Sequence, residues 1–284
     1  MALRHEIGQL LIGSLPGLTI PQELRSLARE FQLGGVTLFK RNIEAPEQVQ
    51  ELARELQELG LPSPVWVAVD QEGGSVARLR APFTEWPPMA SLGRAGDVEL
   101  ARRFAAALAA ELKAVGVTLD YAPVLDINTN PSNPVIGDRA LSEKAEVVAA
   151  LGAAIIDGLQ GAGIAACGKH FPGHGDTTVD SHLDLPIVEH PPDRIRRVEC
   201  VPFVEAIHRN VAFMMTAHVL VPTMDEERPA TLSRRLVYDL LREELGYEGV
   251  ILSDDLEMKA LARDYGVGEA AVLAIAAEIG RAHV

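Results

Sequence analysis

The sequence is short of several things. Two cysteines, Cys167 and Cys200, stand among 284 residues, too few for a disulfide framework and suited to a reducing compartment. Basic residues are in deficit, with 26 Lys plus Arg against 40 Asp plus Glu and a formal net charge of −14. That argues against a broad nucleic-acid or anionic-membrane surface, which wants clustered Lys and Arg. It leaves room for an anionic small substrate, which needs only a few placed cations. No apolar run approaches the roughly 18 residues of a transmembrane helix. The opening MALRHEIGQLLIGSLPG is broken by Gly and Pro, carries Glu6 and has no small-residue cleavage pattern, so no signal peptide is expected. Aromatics make up 5% against 48% hydrophobic residues, an ordinary globular composition in a chain long enough for a substantial core.

What is present is a regular alternation. Short apolar runs at 8–14, 35–39, 65–69, 117–121, 164–168, 211–217 and 249–253 are continuous rather than alternating, as in parallel strands covered on both faces. Amphipathic stretches at 21–31, 46–59, 98–114, 143–160, 192–208, 233–244 and 268–277 fill the gaps. Pro21 and Pro46 suit first turns of helices, and Asp97 and Ser233 suit caps. Strict alternation predicts a parallel α/β fold, and long loops after several strands favour a (β/α)8 barrel of TIM type over an open sheet. The runs supply seven units, so the barrel is expected to lack its eighth.

Barrel active sites lie at the C-terminal ends of the strands. Those ends are polar here: Asp70, Asp120 and Asp126, Lys169 and His170, His218, and Asp254 and Asp255. Each alone could be a cap or a loop hydrogen-bonder; together they suggest a shared pocket. The densest stretch is KHFPGHGDTTVDSHLDLP, residues 169–186, which reads as a mobile, Gly-containing loop. Two chemistries are open. His170, His174, Asp176, Asp180 and His182 are metal-ligand types, although their spacing matches no metal motif. Alternatively, Asp180 precedes His182 by two residues, so that in a turn the carboxylate can orient an imidazole that donates and then accepts a proton. A plain surface contact is the rival reading of that pair. Asp254 follows an apolar strand and can serve as a carboxylate nucleophile toward a sugar anomeric carbon, with Asp255 or Asp254 itself as cap of the next helix.

Together with GGVTLFKRN, VAVDQEGGSVARL, YAPVLDINTNPSNPVIGDRA, MTAHV and GVILSDDLEM, the 169–186 stretch resembles glycoside hydrolase family 3, in its bacterial β-N-acetylglucosaminidase branch. The resemblance runs from about residue 7 to 277. It implies Asp254 as nucleophile, His182 as general acid/base tuned by Asp180, and Asp70, Arg78, Arg139, Lys169 and His170 as sugar-binding residues, with Gly73 and Gly74 allowing close backbone approach. It implies no cofactor and no metal. It also implies a cytoplasmic, monomeric enzyme of cell-wall recycling that removes N-acetylglucosamine from (1,6-anhydro-)N-acetylmuramyl-peptides with retention. A His in the acid/base role does not repel an anionic acceptor, which opens phosphorolysis beside hydrolysis. A metal-dependent hydrolase and a non-catalytic sugar binder remain as other classes.

The end of the chain departs from the pattern. Residues 278–284, EIGRAHV, do not resemble the family and read as a non-native tail behind a single catalytic domain of residues 1–277. On that reading the first and seventh strands have open edges, and the chain is expected to be poorly stable and weakly active.

Overall fold

The structure, a computed structural model, describes residues 2–283. Its barrel strands are largely apolar before their C-terminal ends because helices cover one face and barrel contents the other. In chain order the elements begin with α1 (Ala2–Gln9), β1 (Leu11–Ser14), α2 (Gln22–Phe31), β2 (Gly35–Leu38), α3 (Pro46–Gln57) and β3 (Trp66–Val69). A small hairpin, β4 (Gln71–Gly73) and β5 (Val76–Ala77), then precedes α4 (Ala90–Ala95) and α5 (Val98–Ala114). The barrel continues through β6 (Leu119–Asp120), α6 (Ala145–Gly161) and β7 (Ala165–Phe171). Helical turns α7 (Pro192–Arg194) and α8 (Val201–His208), joined by the π-helical segment Ile195–Glu199, lead into β8 (Phe213–Thr216). The helix Arg235–Glu244, β9 (Val250–Ser253), α9 (Lys259–Ala262), α10 (Val267–Ala276) and β10 (Ala282–His283) complete the described chain.

The main sheet has 8 strands in the order β10-β1-β2-β3-β6-β7-β8-β9, all paired in parallel. Ile12, Ala68, Leu119, Tyr121, Cys167, Phe213, Met215 and Leu252 pack inside the barrel. The larger core lies between strands and helices. Asp97 caps α5 as expected, its Oδ1 accepting from the Glu99 and Leu100 N–H groups at 2.9 and 3.0 Å, a contact worth about 1 kcal/mol. Ser233 Oγ accepts from Leu236 N–H at 3.3 Å. Pro46 is the first residue of its helix, whereas Pro21 stands one position before α2.

The expectation of a missing eighth strand is corrected. Leu11 pairs with Ala282 and Ile12 with His283, while Leu252 bridges to Arg281. The Ser253 N–H donates to the Arg281 carbonyl at 3.0 Å, and the Arg281 N–H to Ile251 at 2.9 Å. The tail thus fills the gap between β1 and β9, and neither edge is open. The main-chain groups of the two neighbours hold a strand there whatever its side chains, which is why so short and polar a segment gave no periodic signal. Residue ranges 8–9 also differ: Gly8 and Gln9 end α1 rather than begin β1.

Candidate active site

The strand ends deliver side chains to a cleft of about 450 Å³ at the barrel mouth. Asp70, Arg78, Arg139, Lys169, His170, Asp180, His182 and Asp254 all line it. Asp255, His174, Ser181 and the tail's His283 line it as well. Asp120, Asp126 and His218 are fully buried away from the lining. The polar strand ends therefore form a surface layer and a supporting layer.

One half of the cleft is an ionic lattice. Lys169, on β7, is 2% exposed, and its Nζ lies 2.9 Å from Asp70 Oδ1 and 2.7 Å from Glu72 Oε1. Arg139 grips Glu72 with both arms, Nε to Oε2 at 2.9 Å and Nη2 to Oε1 at 2.8 Å. Arg78 Nη2 donates to Asp70 Oδ2 at 3.0 Å. Burial works to raise the carboxyls of Asp70 and Glu72, but the surrounding cations prevail and hold both below the usual carboxylate range. Arg78 keeps its buried Nε–H without a hydrogen-bond partner among the described residues. Glu72 was not singled out from the sequence. Gly73 and Gly74 take φ of 108° and 60°, so they serve the β4–β5 turn, which other residues would strain.

The other half holds the proton-transfer candidates. Asp180 Oδ1 accepts from the backbone N–H of His182 at 2.9 Å and lies 2.8 Å from its Nδ1. This turns Nε2 outward, on a side chain 62% exposed. Burial pushes the Asp180 carboxyl up, and these two His182 contacts outweigh it and lower the carboxyl below its ordinary range. Asp254 leaves β9 with its Oδ1 accepting from the Asp255 N–H at 2.8 Å. Burial would raise this carboxyl too, yet His218, His170, the Asp255 N–H and Lys169 lower it, so it stays ionised. The expectation that one of the pair caps the next helix is corrected: α9 begins at Lys259 behind Met258, with no side-chain cap, and Asp255 Oδ1 instead accepts from Glu257 N–H at 2.9 Å in the turn before it.

Behind the lining, Asp126 Oδ2 sits 2.6 Å from His170 Nδ1, and its Oδ1 accepts from the His174 N–H at 2.6 Å. This fixes the His170 ring with Nε2 toward the cleft. His218 Nε2 donates to the Asp255 carbonyl at 2.8 Å, holding the peptide next to Asp254. The 169–186 stretch is not a free loop. Its first three residues belong to β7. Beyond them, Asp176 accepts from Thr129 at 2.7 Å and pairs with His190 at 2.5 Å. A Cβ on Gly175 would lie 1.8 Å from the Ile127 carbonyl oxygen, so backbone packs directly on backbone there. Both ring nitrogens of His174 lie on hydroxyls, of Thr177 and Ser181, and Asp176 is held by Thr129 and His190, whereas His170 and His182 each spend one ring nitrogen on a carboxylate. Among the described residues, no group of three His, Cys, Asp or Glu side chains converges for a metal ion.

His174 gives a pH-dependent prediction. Its ring is buried between two hydroxyls, and burial lowers its pKa from 6.5 to about 4. The unfolded chain takes up that proton near 6.5, so the neutral ring's contribution is complete above pH 6.5 and is lost as the pH falls toward 4, by roughly 3 kcal/mol. Urea unfolding at pH 7 and pH 4.5 is expected to show a smaller decline in a His174→Leu variant than in the wild type. Equal declines would mean that His174 does not titrate in this window.

Residues 2–280 match the family model Glycosyl hydrolase family 3 N terminal domain. The chain belongs to glycoside hydrolase family 3. Among its relatives, a β-hexosaminidase of Nitrosomonas eutropha is 42% identical over 266 residues, 92% of this chain and 75% of that protein. The structure of a family 3 β-N-acetylglucosaminidase from Paenibacillus sp. str. FPU-7 superposes with a TM-score of 0.97 at 46% identity, covering 100% of this chain and 55% of that one. NagZ from Neisseria gonorrhoeae gives a TM-score of 0.90 at 34% identity over 97% of this chain and 80% of that one. The chain thus spans about half the length of the Paenibacillus enzyme and three quarters of the Nitrosomonas one. These matches group it with the β-hexosaminidases among glycoside hydrolases. No helix among the described residues is long and apolar enough to cross a membrane.

Proposed function

We propose that this chain carries the catalytic site of a retaining, exo-acting β-N-acetylglucosaminidase. On this reading it removes terminal β-1,4-linked N-acetylglucosamine from (1,6-anhydro-)N-acetylmuramyl-peptides, as a cytoplasmic monomer in peptidoglycan recycling. The observation that carries the reading is the sharing of one cleft by an ionised strand-end carboxylate, Asp254, and an imidazole–carboxylate pair, His182–Asp180. Double displacement needs those two parts.

The steps follow from which atoms are free. Asp254 Oδ1 is occupied by the Asp255 N–H, so Oδ2 attacks C1. His182 Nδ1 is occupied by Asp180, so Nε2–H gives its proton to the departing oxygen as the glycosidic bond breaks. Nε2 then takes a proton from water, which attacks C1 and breaks the ester. Asp70 accepts from sugar hydroxyls, and the His170 ring lines the same cleft. The acid/base loop lies on the leaving-group side and exposes Val179, Leu183 and Ile187 by 38%, 62% and 51%. Those apolar surfaces suit the lactyl and alanyl methyl groups of a muramyl-peptide.

Each cation in the cleft is paired with a carboxylate: Arg78 with Asp70, Arg139 with Glu72, and Lys169 with both. These three cations share two carboxylates, and the ionised Asp254 in the same cleft supplies the third negative charge, so phosphate finds no net positive charge and water is the expected acceptor. The test is incubation with GlcNAc-1,6-anhydroMurNAc-peptide in phosphate and in an inert buffer, followed by NMR. Free N-acetylglucosamine, released first as the β-anomer at equal rates in both buffers, is the expected result. An α-anomer would end the retaining mechanism, a glycosyl phosphate would end the hydrolytic one, and turnover confined to chitobiose would end the muramyl-peptide assignment.

A further inference from the structure

Ser181 stands between the two residues of the proton-transfer pair and behaves unlike either. The side chains of Asp180 and His182 are 25% and 62% exposed, whereas Ser181 is 3% exposed. Its Oγ lies 3.1 Å from His174 Nε2. Its carbonyl accepts from the Ala260 N–H at 3.2 Å, on the α9 helix that follows Asp254. One residue is thus tied downward to the barrel and sideways to the segment that carries the nucleophile.

The direction of the Ser181–His174 bond follows from counting protons. The Thr177 hydroxyl donates to the His174 carbonyl at 3.0 Å, so His174 Nδ1–H donates to Thr177 Oγ1 at 2.7 Å. That leaves Nε2 as a bare acceptor, and the Ser181 O–H donates to it. Asn133 Nδ2 donates to the His174 carbonyl at 2.8 Å and to Thr177 Oγ1 at 3.2 Å, fastening the assembly to the loop that carries Arg139. Between Thr177 and Pro186, the described bonds from the loop to the rest of the barrel are the two made by Ser181 and the exposed Asp184–Arg263 ion pair. Exposed ion pairs hold little. The His182 ring has Asp180 as its partner, and Asp180 in turn is carried by the same loop.

We propose that Ser181 is a positioning residue that sets the place of the His182 acid/base relative to Asp254, acting through His174 and Ala260 and touching no substrate. The proposal rests on the reading of His182 as acid/base. A displacement near 1 Å at such a group costs on the order of 100-fold, and only where its proton is needed.

The experiment compares kcat/KM, which reports the glycosylation step, on two substrates. N,N′-diacetylchitobiose has a leaving group that needs protonation, and 2,4-dinitrophenyl N-acetyl-β-D-glucosaminide has one that does not. Ser181→Ala is expected to lose roughly 10- to 100-fold on chitobiose and less than about threefold on the dinitrophenyl glycoside. Ser181→Thr, which keeps the hydroxyl, is expected to restore most of the loss. His174→Leu cuts the same bond from the other side and is expected to show the same selectivity. The double variant is expected to be no worse than either single one, as for residues acting through one contact. Equal losses on both substrates, no loss, or additive losses would overturn the proposal. The His182→Ala control separates the two readings: a loss indifferent to the leaving group in that variant would refute the acid/base assignment itself.

Discussion

Replacing Asp254 with alanine is expected to lower kcat by roughly four orders of magnitude, the scale seen when a nucleophilic constellation loses a member. Asp254 and Asp255 are adjacent, but the structure separates their work. Asp255 spends an oxygen on the Glu257 N–H, and an asparagine can do that too, so Asp255→Asn is expected to cost far less. Asp254 is kept ionised against burial by His218, His170, the Asp255 N–H and Lys169, which is the state a nucleophile needs. The same variant distinguishes attack by the protein from attack by the substrate's own acetamido group. With the carboxylate gone, azide can enter the vacated space and give an α-glycosyl azide. In the wild type, a slow fluorinated glycoside is expected to leave a sugar on Asp254 that peptide mass spectrometry detects. A loss below about tenfold in Asp254→Ala, together with an unmodified Asp254 peptide, would move the covalent chemistry elsewhere.

The parts of this site that can be read from the sequence are those whose meaning is local. Asp254 ends a continuous apolar run. Asp180 and His182 are two residues apart, and a single turn brings Oδ1 to 2.8 Å from Nδ1. The barrel could be read for the same reason, because parallel strands buried on both faces leave unbroken apolar runs. Glu72 could not be read so. Its value lies in Arg139, 67 residues away, and in a lysine on another strand, and nothing in QEGG announces a buried anion. Asp126 and His218 are visible as polar strand ends, but only packing shows that they stand behind the lining and orient it. The eighth strand was illegible for a different reason. Arg281, Ala282 and His283 have no apolar periodicity, and main-chain bonds from two flanking strands recruit them. Backbone pairing of that kind leaves no mark in side-chain pattern.

Glu72→Leu is expected to be the most destabilising single change at the cleft. The Glu72 side chain is 1% exposed and neutralises Arg139 and Lys169 at once. Without it, Lys169 keeps only Asp70, which Arg78 already shares. Breaking a buried pair from one side costs about 3–5 kcal/mol. Since the Glu72 carboxyl is held below its ordinary 4.5, its contribution is complete above pH 4.5 and is lost as the pH falls through its lowered value. Urea unfolding is therefore expected to show a full gap between wild type and variant at pH 7 that narrows as the pH falls below 4.5. A gap independent of pH would assign the loss to packing. Glu72→Gln separates charge from shape, since it keeps the volume and removes the anion. It leaves Arg139 and Lys169 undercompensated at the mouth of the barrel, and inorganic phosphate is expected to become a competitive inhibitor of that variant while leaving the wild type untouched. The same carboxylate would then account both for a lysine that can be buried beside the substrate and for a cleft in which water, rather than phosphate, accepts the sugar.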